Sequence, residues 1–182
     1  MEKRSGLAGM GITVNAPYLG AWPEKVGQFI LNFGGIELIS YQTLLLLEAS
    51  EPAFLKNIDQ LFSKRVDRLV ELLETTDQLT EEERGNAIAL WKEARDIARW
   101  RNRIAHNPVL PTWKPGSDAE RQPPDLLGIP DLRQLKKSAI SDSIPIELLD
   151  RMINDLVGLA QRLHQIASSI GMKHAAASDG EA

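Results

Sequence analysis

The spacing of apolar residues along the first half of the chain predicts two amphipathic helices. The first is predicted from about Pro23 to Ala49, and its apolar positions recur at helical intervals: Ile30, Phe33, Leu38, Tyr41, Leu44 and Leu45. The second is predicted to follow an N-cap at Ser50 and to end near Asp77, with an apolar stripe from Phe54 to Leu73. Gly34 and Gly35 either weaken the first helix or allow another helix to approach it closely.

A third helix has clearer boundary signals. Thr80 and Glu83 have the spacing of a capping box, in which each residue satisfies a backbone amide of the other. Pro108 disfavours helical geometry at Asn107, so this helix is predicted to stop near His106.

The remaining chain predicts a long excursion and one last helix. Residues 107–143 hold six prolines, which favours irregular structure, with a short strand pair or a turn of helix around Leu132–Lys137. The last helix is predicted to begin after Ser143 and to end at a Gly171 C-cap. The chain is therefore predicted to be an all-α, up-and-down four-helix bundle with a long irregular excursion between helices 3 and 4. Its predicted parts are an irregular arm (1–22), the bundle (23–171) and a disordered tail (172–182).

Composition narrows the class of protein. The 182 residues include no cysteine, which excludes disulfides and thiolate metal sites, and the net charge is −4. The longest aliphatic run, Leu44–Leu47, is too short to span a bilayer, and no signal peptide is seen. We therefore expect a soluble cytoplasmic protein with no membrane association. The sequence motifs of zinc proteases, P-loop enzymes and serine hydrolases are absent, and we expect no metal and no cofactor.

Two charged residues stand inside predicted apolar stripes. Arg101 shares a face of the third helix with Leu90, Ala94, Ile97 and Ile104, and Glu37 lies near the centre of the stripe of the first helix. A buried charge needs a partner. Glu37 and Arg101 are therefore predicted either to form a structural ion pair or to line a common cavity or interface.

Polar residues accumulate at the end of the third helix. Asn102 lies four residues before His106 and shares its face, together with Arg99 and Arg103. Between Lys92 and His106 the chain carries five Lys or Arg, Arg95 among them, against two acidic residues, a local excess of +3 in an acidic protein. This pattern favours a phosphate-bearing ligand.

The segment from Arg101 to His106 resembles the R-x4–6-H motif of the HEPN superfamily, whose members are helical bundles with this motif late in the third long helix. Arg101, Asn102 and His106 match the motif, and Phe33–Glu37 is similar to the first helix of some members. Arg99 also stands at a permitted distance from His106 and is an alternative catalytic arginine.

The resemblance implies metal-independent cleavage of RNA by a homodimer, in a toxin or a defence effector. His106 would act as general base or general acid, Arg101 would stabilise charge on phosphorus, and Asn102 would orient His106 or the phosphate. A protein partner or antitoxin is a further candidate. Pro108 occupies the position at which some family toxins carry a tyrosine that is adenylylated, so we do not expect that form of regulation.

Two other functions are compatible with the sequence. The first is a non-catalytic helical interaction module, in which the Glu37–Arg101 pair is structural. The second is a small-molecule-binding bundle, which would need a pocket lined by a residue such as Trp91 or Trp100.

Overall fold

The computed structural model of the chain describes residues 20–48, 50–106, 110–112, 126–129 and 142–179. Within these ranges the protein is all-α, as predicted, with one small antiparallel sheet. The helices are α1 (Trp22–Leu47), α2 (Glu51–Ile58), α3 (Phe62–Thr75), α4 (Glu81–His106) and α5 (Ile146–Asp179). The strands are β1 (Leu110–Thr112), β2 (Leu126–Ile129) and β3 (Asp142–Pro145).

Helix α1 is parallel to α3. The Phe33 ring meets the Phe62 ring at 5.1 Å between centroids, and one to two turns later on each helix Arg65 Nε donates to Ser40 Oγ. Helix α2 returns the chain between them, so successive helices alternate in direction.

Helix α5 also runs parallel to α1. Near its start Asp150 forms a salt bridge with Lys25, and Gly171 lies against Leu46 at the far end. Helix α4 is antiparallel to both. A single apolar core fills the space between the four longest helices, and its largest fully buried members include Trp22, Trp91, Phe29, Phe33, Ile36, Leu44, Leu69, Leu73, Leu149 and Leu156.

The described parts of the predicted excursion form a sheet of order β1-β2-β3. Leu110 pairs with Gly128, and Leu126 pairs with Pro145, both in antiparallel register. Strand β3 continues directly into α5, so the sheet delivers the chain to the last helix. The Leu132–Lys137 region lies outside the described residues.

The predicted second helix is divided in the structure. Helix α2 ends at Ile58 and α3 begins at Phe62. The buried Arg65 side chain donates to the carbonyl of Ile58, which the end of α2 leaves without a helical partner, and to the carbonyl of Gln60 in the connection to α3. This local satisfaction of the backbone stabilises a break that apolar periodicity alone does not reveal.

The buried face of α1 differs from the predicted stripe. Phe33 and Leu44 are buried as predicted, whereas Leu38 and Leu45 are exposed. Ser40 and Thr43 are buried instead, because their hydroxyls donate to carbonyls of their own helix and so tolerate the core: Ser40 to Glu37, and Thr43 to Ile39. Helix α1 is apolar on most sides, so spacing alone could not select its inner face.

Helix α5 continues through Gly171 to Asp179, so the predicted C-cap at Gly171 is wrong, and residues 172–179 of the predicted tail belong to the helix. Alanine is the strongest helix former, and Ala175–Ala177 favour this continuation.

By length and composition, α1 is also apolar enough to cross a membrane, although the sequence predicted no such segment. Eight of its residues are buried against the rest of the bundle.

Candidate functional site: an arginine-lined cleft beside the end of α4

A cleft of about 560 Å³ opens between α1, the start of α3 and the last turns of α4. Four arginines and one glutamate give its lining a net charge of +3, opposite in sign to the charge of the whole chain. The lining residues are Glu37, Gln60, Leu61, Phe62, Ser63, Arg65, Arg95, Ala98, Arg99, Arg101 and Asn102. A concave site of this size and sign suits an anionic ligand.

Arg101 and Glu37 meet across the cleft, which confirms the predicted juxtaposition. Arg101 Nη2 donates to Glu37 Oε2 at 3.3 Å, and its Nη1 donates to Asn102 Oδ1 at 3.0 Å. The guanidinium lies 5.6 Å from the centroid of the Phe33 ring. The two residues form an ion pair and also line a cavity, so the geometry is compatible with both alternatives drawn from the sequence. Each side chain keeps about a quarter of its surface exposed.

Sequence reasoning missed Arg65, which forms part of the wall of the cleft. Its side chain is only 4% exposed, and its Nη2 lies 3.7 Å from Glu37 Oε1. Its guanidinium also stacks 4.2 Å from the centroid of the Tyr41 ring. Glu37 is therefore bracketed by two guanidinium groups. The signal was available, because Arg65 stands within the apolar stripe of α3 beside Phe62 and Leu69, as Arg101 stands within that of α4.

The other predicted binding arginines divide into two groups. Arg95 and Arg99 line the cleft one helical turn apart, and each also contacts an acidic residue: Arg95 contacts Asp67 at 2.9 Å, and Arg99 contacts Asp96 at 3.6 Å. Arg103 lies outside the lining, with its guanidinium 5.1 Å from the Trp100 ring.

His106 lies on the same face of α4 as three residues that line the cleft. Arg95, Arg99, Asn102 and His106 follow one another at steps of four, three and four residues, which place them along one face of α4. His106 is the last residue of α4, one turn beyond Asn102.

A third arginine–glutamate contact joins α3 to Glu48, the residue directly after α1, and neither residue lines the cleft. Arg68 holds Glu48 with two bonds, Nε to Oε1 at 2.9 Å and Nη2 to Oε2 at 3.1 Å, and Asn57 donates a third at 2.8 Å. The Glu48 side chain is 2% exposed. The Arg68 guanidinium holds the pKa of Glu48 below its usual range, with a smaller contribution from Asn57, and Glu48 raises the pKa of Arg68.

Comparison of the chain with protein-family models, with curated proteins and with solved structures gives no match in any of the three. Among the described residues, no three His, Asp or Glu side chains come together as a metal site would require. The candidate site is therefore defined by the geometry and charge of the cleft alone. Trp91 is fully buried in the core and does not line it.

Proposed function

We propose that this chain is a metal-independent endoribonuclease of the HEPN type, with Arg101, Asn102 and His106 as its catalytic residues. The observation that carries the proposal is the joint placement of Arg101 and Asn102 in a cleft of net charge +3 within a chain of net charge −4. RNA offers the repeated phosphates that such a cleft attracts.

The chemistry follows from the groups present. The ribose 2′-oxygen attacks the adjacent phosphorus, the bond from phosphorus to the 5′-oxygen breaks, and the products carry a 2′,3′-cyclic phosphate and a 5′-hydroxyl. His106 takes the proton from the 2′-hydroxyl or gives one to the leaving oxygen, and water exchanges the other proton, so the step is balanced; an imidazole is suited to either role. The planar guanidinium of Arg101 matches two phosphate oxygens and stabilises the charge that develops on them.

Asn102 positions the catalytic groups. Its Oδ1 accepts from Arg101, which leaves the amide nitrogen to reach the phosphate or the His106 ring. Arg95 and Arg99 extend the positive surface along α4 and would contact the phosphates on one side of the scissile bond. We place the enzyme in the cytoplasm and, in line with the resemblance, expect it to act as a homodimer.

The test is cleavage of a mixed RNA pool and a tRNA pool in the presence of a metal chelator. Wild-type protein should release fragments with cyclic-phosphate ends, identified by mass spectrometry, and Arg101→Ala and His106→Ala should each lose this activity. Matched controls are Arg162→Ala and His164→Ala, which alter exposed residues of α5 outside the cleft. Equal cleavage by wild type and by all four variants would mark the activity as a contaminant and refute the proposal.

A specific observation supports one alternative, the non-catalytic helical interaction module. Arg101 already has two partners, Glu37 and Asn102, as a structural arginine would. This alternative expects a large loss of folding stability in Arg101→Ala and no chelator-resistant cleavage. The ribonuclease proposal expects a well-folded Arg101→Ala protein without activity.

A further inference from the structure

The lining of the cleft has an apolar part as well as a charged part. Leu61 lines the cleft in the connection that leads into α3, whereas Arg95 and Arg99 line it from α4. Leu61 is 78% exposed, more than any other large hydrophobic side chain in the described part of the chain. A ligand that covered this side chain would gain from the burial of apolar surface. The cleft is therefore suited to a ligand that carries both an anion and an apolar group.

Leu61 also stands at a position where a leucine does not help the helix to form. It is the N-cap of α3, and its side chain makes no hydrogen bond to the helix. Serine, threonine, aspartate and asparagine are the residues that stabilise an N-cap. At this one position the chain therefore has neither a helix cap nor a buried apolar side chain. Such local departures from the rules of folding are expected at functional sites.

The neighbouring Gln60 side chain has a defined orientation. Asn57 is buried, and its Nδ2 donates to Glu48 Oε1 at 2.8 Å and to the carbonyl of Ala53 at 2.9 Å. The ionised carboxylate and the carbonyl can only accept, so the Oδ1 of Asn57 is left to face Gln60. Gln60 Nε2 donates to this Oδ1 at 2.8 Å. Because one amide orientation fixes the next, the atom that Gln60 leaves for a ligand is the acceptor Oε1.

This acceptor is held in place before a ligand binds. Gln60 lines the cleft, and no hydrogen bond to its Oε1 is found among the described residues. Its backbone carbonyl is bound by Arg65 Nη1, so the main chain of Gln60 is fixed as well as its side chain. A group that is ordered in advance loses little conformational entropy on binding. The Ser63 hydroxyl, which also belongs to the lining, can supply a donor beside the acceptor.

We propose that Gln60, Leu61 and Ser63 form a nucleobase subsite of the cleft, and that this subsite favours adenine. The inference rests on the proposed function, because it assigns the base that accompanies a phosphate bound by the arginines of the cleft. The flat face of the base covers Leu61. The exocyclic amine donates to Gln60 Oε1, and the adjacent ring nitrogen accepts from the Ser63 hydroxyl.

The order of donor and acceptor selects the base. On the Watson–Crick edge of adenine and of cytosine, an amine stands next to a ring nitrogen that accepts, which complements an acceptor beside a donor. Uracil and guanine carry a ring N–H on that edge instead. Adenine covers more of Leu61 than cytosine does, because a purine has the larger ring system. We therefore expect adenine to bind most tightly, cytosine next, and uracil and guanine less well.

The test is calorimetric titration of the full chain with 3′-AMP, 3′-UMP and inorganic phosphate, none of which can be cleaved as RNA. Wild type should bind 3′-AMP about 10-fold more tightly than 3′-UMP, the size expected for one hydrogen bond, and should bind phosphate most weakly. Gln60→Met keeps the length of the side chain without the acceptor and should abolish the difference between the two nucleotides. Leu61→Ala should weaken both nucleotides about fivefold and leave the affinity for phosphate unchanged.

Control variants separate these effects from general damage to the protein. Leu55→Ala and Gln28→Met alter exposed residues of α2 and α1 that do not line the cleft, and both should keep the three wild-type affinities. Ser63→Ala changes an exposed residue at the start of α3 and should lower the preference for 3′-AMP, which keeps the inference testable if Gln60→Met does not fold.

The result that would overturn the inference is equal binding of 3′-AMP and 3′-UMP by wild type. Equal effects of Leu61→Ala and Leu55→Ala would also overturn it, and failure of all three probes to bind would remove the anion-binding role of the cleft as well. Chelator-resistant RNA cleavage without preference for adenine would refute the base subsite and leave the proposed function standing. Preferential binding of 3′-AMP without RNA cleavage would refute the ribonuclease and leave the subsite standing.

Discussion

Two glutamates, Glu37 within α1 and Glu48 directly after it, bind arginines of neighbouring helices, and the two sites differ in exposure and in hydrogen bonding. The Glu48 side chain is 2% exposed, is held by two bonds from Arg68 and a third from Asn57, and does not line the cleft. Glu37 is a quarter exposed, lies 3.3 Å from one guanidinium and 3.7 Å from another, and faces an open cleft.

The comparison separates an ion pair that is shielded from solvent from one that faces a cleft and is accessible to a ligand. The Glu48 carboxylate accepts three hydrogen bonds from the protein and its side chain is 2% exposed, so a ligand has little access to it. In the second region positive charge exceeds negative, and the Nε atoms of Arg95 and Arg101 are buried without hydrogen-bond partners in the described part of the chain. An excess of guanidinium groups around one carboxylate is suited to binding an anion.

The largest difference between the two sites should appear when the arginine of each pair is replaced by lysine. Arg101→Lys keeps the charge but loses the planar fork, and we expect it to lower kcat/KM for RNA cleavage about 100-fold. Arg68→Lys should leave cleavage within about threefold of wild type under conditions where both variants are folded. Initial rates measured side by side with chelator present would decide. Equal losses in the two variants would remove the functional distinction between the pairs.

For folding stability the order should be reversed, with the larger loss at Arg68 and the smaller loss at Arg101. Arg68→Ala leaves the Glu48 carboxylate buried without its charged partner, and we expect the free energy of unfolding to fall by about 3 kcal/mol. Arg101→Ala should cost about 1 kcal/mol or less, because Glu37 retains Arg65 and solvent exposure. Urea denaturation followed by circular dichroism measures both. A larger loss for Arg101→Ala would favour the interaction-module alternative.

A smaller effect is expected at the start of α4, where a structural cap lies far from the candidate site at the end of the same helix. Thr80 and Glu83 form the predicted capping box, with Thr80 N donating to Glu83 Oε2 at 2.8 Å and Glu83 N donating to Thr80 Oγ1 at 3.2 Å. Thr80→Ala should lower the free energy of unfolding by about 1 kcal/mol without changing RNA cleavage. Thr75→Ala is the control, since its exposed hydroxyl bonds only to carbonyls of its own helix, and its effect should stay within about 0.5 kcal/mol. A loss of activity in Thr80→Ala would show that the two ends of α4 are coupled.

The last prediction concerns how the free energy of unfolding depends on pH. The pKa of Glu48 is lowered in the folded protein by Arg68 first and by Asn57 after it, and the pKa of Glu83 is lowered to about 2, chiefly by the backbone amide of Thr80 and by Lys173. A group with a lowered folded pKa stabilises the fold above its ordinary value of 4.5 and loses that contribution as the pH falls below it. Unfolding free energies should therefore fall between pH 4.5 and about 2. Glu48→Gln should show a shallower fall than wild type, and superimposable slopes would contradict the assigned role of Glu48.

Much of the helical framework could be predicted because its signals are local. The Thr80–Glu83 cap and the stop before Pro108 act within a few residues, and the structure has α4 at Glu81–His106. The Glu37–Arg101 contact was also predictable, since a charge inside an apolar stripe needs a partner. The division at Ile58–Phe62 was not, because it depends on Arg65, whose side chain folds back onto carbonyls that only the turned chain brings within reach.

The sequence by itself determined that the protein is helical and where α4 begins and ends, and it named Arg101, Asn102 and His106 as candidates. Only the tertiary structure decided which face of α1 is inside and which charges share a cleft. The physical reason is that caps and stops act over one turn of backbone, whereas burial depends on which neighbouring helices cover a face. In a helix as uniformly apolar as α1 several faces could be covered, and packing against α3 and α5 selected one, which left Leu31, Leu38 and Leu45 outside.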